Sequence, residues 1–237
     1  MKDVKEEAFG SRKSIITQYF IDNQIDFIKN IWFVTCRRAI NPNKKTRYLV
    51  LLENDDKINL NIFNEDVPVY RVHFNEKSID ILDIRLNKSQ SFSSKETFRD
   101  WIIDKTCCKL IQSFASGSSS STNLSVFFRE NMGKGFSLSD VDFFITNKSV
   151  FLEEKNFIDN NLGYLGEGQL YTFREIQNDI CKNIDFNIVL SDKNDFYLVN
   201  LSNVSTTRFR ILPKWGKMIE YDLGEKLTID EIIKKYL

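Results

Sequence analysis

The sequence predicts an α/β protein, a mixed β-sheet flanked by helices, with a β-rich accessory region at its N-terminal end. Three observations carry that prediction. Apolar and polar residues alternate through Tyr70, Val72 and Phe74 and again through Leu82, Ile84 and Leu86, the period of two that marks half-buried strands. A helical period then takes over, with Ile103, Cys107, Leu110, Ile111 and Phe114 at i, i+4, i+7, i+8 and i+11. From residue 139 onward, strand-like runs return on both sides of a second helical stretch.

Taken in order, the chain should open with a helix over 12–29 and then alternate as a strand at Ile58, Leu60 and Ile62. With the runs at 70–74 and 82–86 this reads as an antiparallel meander. Ser93 and Glu96 have the spacing of a capping box and open the helix just described. The stretch "ASGSSSST", residues 115–122, has no apolar pattern and reads as a flexible connector. Residues 1–90 form the accessory region, of unknown role, and 91–237 the remaining domain. That domain continues with a hairpin over 139–157, a helix over 167–182 and strands at "FNIVLS" and "DFYLVNLS". A basic segment and a short helix capped by Thr228 with Glu231 end the chain.

Composition narrows the function. Lysine plus arginine and aspartate plus glutamate both number 33, so polyanion binding through global positive charge is unsupported and only a local basic cleft is left open. Cys36, Cys107, Cys108 and Cys181 show no C-x-x-C spacing, which argues against zinc and against a disulfide framework, and for a reducing, cytoplasmic setting. The opening "MKDVKEEAFGSRK" is charged and no apolar run approaches about 18 residues, so neither secretion nor a membrane span is expected. His73 is the only histidine and alternates with Arg71 on a predicted strand, which sets aside histidine–metal catalysis and serine or cysteine triads. "NMGKGFS" lacks the spacing of a phosphate-binding loop.

Chemistry concentrates in "SDVDFFITNKSVFLEEKNF", residues 139–157. With Asn147 and Lys148 at the centre of the turn, antiparallel register pairs Thr146 with Ser149 and Phe144 with Phe151, and sets Asp142 against Glu153 and Asp140 against Lys155. Directly opposed β-carbons stand about 5 Å apart, where like charges repel, so a carboxylate pair there calls for a compensating cation. Magnesium is held by one or two carboxylates plus water and phosphate oxygens, and Lys155 beside it could orient a water or balance charge on a phosphoryl oxygen. A solvated acidic face on an edge hairpin is the plain alternative.

The segment resembles the PD-(D/E)xK nuclease superfamily, whose hairpin carries an Asp and, further on, E-x-K or D-x-K. Asp142 matches the first acid, Glu153 the second and Lys155 the lysine, with Glu154 at the variable position. "SD" at Asp140 makes Asp140 a second candidate ligand, and the register favours Asp142. Gln169, in "GEGQLYTFREI", stands at the start of the following helix, where several branches of the superfamily carry a glutamine, and Glu96 and Glu130 are both candidates for an upstream helix acid. The resemblance spans about residues 130–205 and implies a restriction-endonuclease-like core within 91–237. Its implied activity is cleavage of DNA, restriction-like or structure-specific, or of RNA. The implied cofactor is Mg2+, or Mn2+ in its place, bound by Asp142, Glu153 and the Glu154 carbonyl, in a homodimer. Arg208, Arg210, Lys214 and Lys217, interleaved with Phe209 and Trp215, are the candidate nucleic-acid contacts. A non-catalytic nucleic-acid-binding protein that keeps the fold, and a plain interaction module, are the other readings.

Overall fold

A computed structural model describes residues 15–29, 31–36, 48–53, 58–108, 122–132, 136–155, 158–159, 162–192, 195–212 and 216–236. In chain order these form α1 (Ile15–Asp22), β1 (Phe27–Ile28), β2 (Ile31–Cys36), β3 (Tyr48–Glu53), β4 (Val69–Phe74), β5 (Ile79–Asp83) and β6 (Lys88–Phe92). Next come α2 (Lys95–Thr106), α3 (Asn123–Asn131), β7 (Phe136–Val141), β8 (Phe143–Ile145), β9 (Val150–Lys155), β10 (Ile158–Asp159), β11 (Leu162–Gly166) and α4 (Glu167–Glu175). The last are β12 (Asp185–Asp192), β13 (Asp195–Asn200), β14 (Phe209–Leu212), β15 (Gly216–Asp222), β16 (Glu225–Leu227) and α5 (Ile229–Tyr236). The fold is mixed α/β with strands predominating. Two compact units divide it, Met1–Lys29 with Val141–Leu237, and Asn30–Asp140.

The unit Asn30–Asp140 holds a sheet ordered β6-β5-β4-β3-β2-β7. The boundary expected at residue 90 falls inside it, because β6 and α2 share one core: the Phe92 and Phe98 rings lie 5.3 Å apart and both meet Trp101. Ser94, one residue later than expected, caps α2 by accepting from the Thr97 N–H at 3.2 Å. The helix ends at Thr106, where Cys107 takes a left-handed φ of 52° and its N–H returns to the Asp104 carbonyl. Its buried positions are Phe98, Ile102 and Thr106, and the expected continuation through Leu110, Ile111 and Phe114 lies outside the described residues, as does the connector at 115–121.

Two expected strands fold otherwise. Leu60–Ile62 is a single 3-10 turn, opened by the Asn59 side chain accepting from the Asn61 N–H. At 82–86 the strand stops at Asp83, whose carboxylate accepts from the Leu86 N–H at 3.0 Å and closes a turn. Cys36 and Cys108 form a disulfide across 72 residues, contrary to the expectation of no disulfide, because so distant a pair leaves no short spacing in the sequence. Disulfides are rare in reducing compartments, so the cytoplasmic expectation loses the support that cysteine spacing lent it. Among the described residues no helix is long and apolar enough to cross a membrane.

The other unit is built on a sheet ordered β1-β8-β9-β12-β13-β16. Phe143, Ile145, Leu152 and Val189 point to a core shared with Phe20 of α1 and Ile232, Ile233 and Tyr236 of α5. The opposite face carries an aromatic run, Phe144 on Phe151, Phe151 on Phe186 and Phe186 on Phe173 of α4, with ring centroids 5.0, 5.9 and 4.6 Å apart. Helices therefore cover both faces, as expected of a mixed sheet flanked by helices. β8 and β9 are antiparallel, whereas β9 and β12 are parallel and are joined through α4. A second sheet, β10-β11-β15-β14, completes the unit.

Candidate functional site

Ile145 pairs with Val150, Phe144 with Phe151 and Phe143 with Leu152, the register read from the turn at Asn147 and Lys148. Carried one residue further it sets Asp142 opposite Glu153, at a bend where β8 begins. The Asp142 side chain reaches across the hairpin, and its Oδ2 accepts from the Glu154 N–H at 2.7 Å. Asp140, expected opposite Lys155, instead lies in β7, a strand of the other unit's sheet. The chain bends at Asp142, so residues 140 and 142 do not share one continuous strand.

Glu153 is the centre of the cluster. Only 4% of it is exposed, and its Oε1 accepts from the Lys155 ammonium and from the Gln169 amide, the latter at 3.0 Å. Glu153 and Lys155 share a face of β9 because strand side chains alternate with a period of two. Gln169 arrives from the first turn of α4, which follows β11 directly. Two residues named from the sequence, Lys155 and Gln169, thus converge on one oxygen of a third, Glu153. Glu96 lies on α2 and Glu130, ion-paired to Lys95 at 3.2 Å, on α3, both within Asn30–Asp140.

The candidate nucleic-acid contacts divide by face. Arg208 pairs with Asp222 at 2.8 Å, and Arg210 pairs with Glu220 at 3.0 Å and lies over the Tyr164 ring. Lys217 pairs with Glu167 at the start of α4 and lies 4.4 Å over the half-exposed Phe209 ring. Each of these three cations has an acidic partner. Lys214 and Trp215 lie outside the described residues.

Two groups near the cluster escaped the sequence. Lys29 packs over the Phe143 ring at 4.7 Å and donates to Thr17. Burial lowers its pKa, and the charges of Asp142 and Glu154 act against that shift. Tyr221 of β15 is buried, and burial first, then the charge of Glu153, raises its pKa. Residue 29 lies far from the motif in sequence and Tyr221 reads as one more alternating strand residue, so neither gives a local signal.

No family model, no curated protein and no solved structure matches this chain.

Proposed function

We propose that the chain is a magnesium-dependent hydrolase of nucleic-acid phosphodiester bonds, with Asp142, Glu153, Lys155 and Gln169 as its working residues. DNA is the first substrate to test and RNA the variant. What carries the reading is the convergence of the Lys155 ammonium and the Gln169 amide on Glu153, across a hairpin from Asp142.

The donor set suits a hard cation. Asp142 and Glu153 supply carboxylate oxygens and the Glu154 carbonyl a neutral one, and magnesium takes one or two protein carboxylates with water and substrate for the rest. Among the described residues no group of three or more His, Cys, Asp or Glu side chains converges, so water and phosphate would have to supply much of the shell. When bound, such a cation lowers the pKa of a water and neutralises charge growing on a phosphoryl oxygen. The chain's own residues do the placing. The Glu154 N–H fixes one oxygen of Asp142, the Gln169 amide donates to Glu153, and the Lys155 side chain, which is 25% exposed, can present its ammonium to the attacking water. A homodimer would bring two such sites to a duplex.

The test incubates wild type, Glu153→Ala and Lys155→Ala with magnesium or manganese and end-labelled duplex, single-stranded and four-way DNA, and RNA. Wild type should cut at least one of these, and each variant should be slower by about 100-fold or more. Binding without cutting, seen as a gel shift, would replace this reading with the non-catalytic one.

A further inference from the structure

Tyr221 stands in β15 opposite Gly163 of β11. Its side chain is 2% exposed, and its hydroxyl has no hydrogen-bond partner among the described residues. Buried hydroxyls are nearly always satisfied, so one that is not calls for a reason. The seat of the ring is specific. A β-carbon at position 163 would stand 2.5 Å from Tyr221 Cε2 and 2.7 Å from Leu190 Cδ2, so a glycine there is what lets the ring lie against Leu190.

Leu190 is the ladder partner of Lys155, and Ile188 that of Glu153. Directly paired residues share a face of the sheet. The phenol is thereby carried to the face that holds Glu153 and Lys155, where burial and, after it, the Glu153 charge raise its pKa. A buried carboxylate that loses its ammonium partner is strongly destabilised unless another donor replaces it. A phenol is a suitable replacement because it donates without adding a positive charge that would repel a cation.

We propose that Tyr221 is a positioning residue for Glu153, its hydroxyl donating to that carboxylate when Lys155 turns from it toward a water on the substrate side. The kinetic consequence rests on the phosphodiesterase reading, and the structural one does not.

The experiment is a double-mutant cycle followed by thermal unfolding in the presence of a chelator. Tyr221→Phe alone should leave Tm unchanged or raise it, since it removes an unsatisfied hydroxyl and keeps the ring. In a Lys155→Met background the same change should lower Tm by about 3 °C, and Lys155→Gln serves if the methionine variant does not fold. Equal effects in both backgrounds would overturn the proposal. In cleavage assays Tyr221→Phe should lower kcat about tenfold at unchanged KM, and an unaltered kcat in an otherwise active enzyme would also overturn it. Coupling in the cycle, with no cleavage by wild type on any substrate, would uphold the positioning role and end the phosphodiesterase reading.

Discussion

Two glycines in the site-bearing unit differ in what stands over them. At Gly163 the obstructing atoms belong to the Tyr221 and Leu190 side chains, whereas at Gly224 an added β-carbon would lie 1.8 Å from the Leu198 carbonyl oxygen, which is backbone. Side chains yield more readily than a paired strand. Gly163→Ala should therefore destabilise by about 1–3 kcal/mol, in the range of core overpacking, and Gly224→Ala by more, as read from urea midpoints; the reverse order would show that β13 gives way more easily than the aromatic ring. At this scale the part of the site set by local rules was legible. The turn at Asn147 and Lys148, with the two-residue period, places Asp142 opposite Glu153 and puts Lys155 beside Glu153. Lys29 and Tyr221 were not legible, since their places depend on pairings of β1 with β8 and of β11 with β15 that no short window contains.

Helix ends supply a prediction of a different kind. The Glu231 carboxylate accepts from the Thr228 N–H at 2.7 Å and from its hydroxyl at 3.0 Å, while the Thr228 hydroxyl accepts from the Glu231 N–H, a reciprocal cap on α5. The backbone hydrogen bond from Thr228, then the side-chain one, holds the Glu231 pKa below its ordinary value of 4.5. A carboxylate depressed on folding contributes stability above its unfolded pKa and loses that contribution as pH falls through the folded one. The Tm of Glu231→Ala should thus lie below wild type at neutral pH, with the gap narrowing as pH falls below 4.5 through the depressed folded pKa; a gap independent of pH would mean that the charge plays no part. Thr228→Ala should cost about 1 kcal/mol at neutral pH, measured by denaturant unfolding. This cap was legible because both partners sit within one turn. The end of α2 was not, because apolar spacing runs on past Thr106 while the chain itself turns left-handed at Cys107.

For the molecule as a whole, the linear division at residue 90 missed a nesting. Phe27 pairs with Ile145 and Ile28 with Phe144, so the chain leaves one unit at Lys29 and returns at Val141 on neighbouring strands. Composition along the chain carries no mark of this, since it does not record which distant segments pair. Joining Lys29 to Val141 by a short flexible linker should leave a protein that melts cooperatively and, if the two carboxylates bind a cation, still gains Tm with manganese. Non-cooperative melting of that protein would count against the division. The same pairing also sets an order of events on the ribosome, where a chain is released from its N-terminal end first. The leading segment that becomes β1 must wait, unpartnered, through the synthesis of everything from Asn30 to Asp140, and the sheet cannot gain its Glu153 strand until that interior stretch has already emerged.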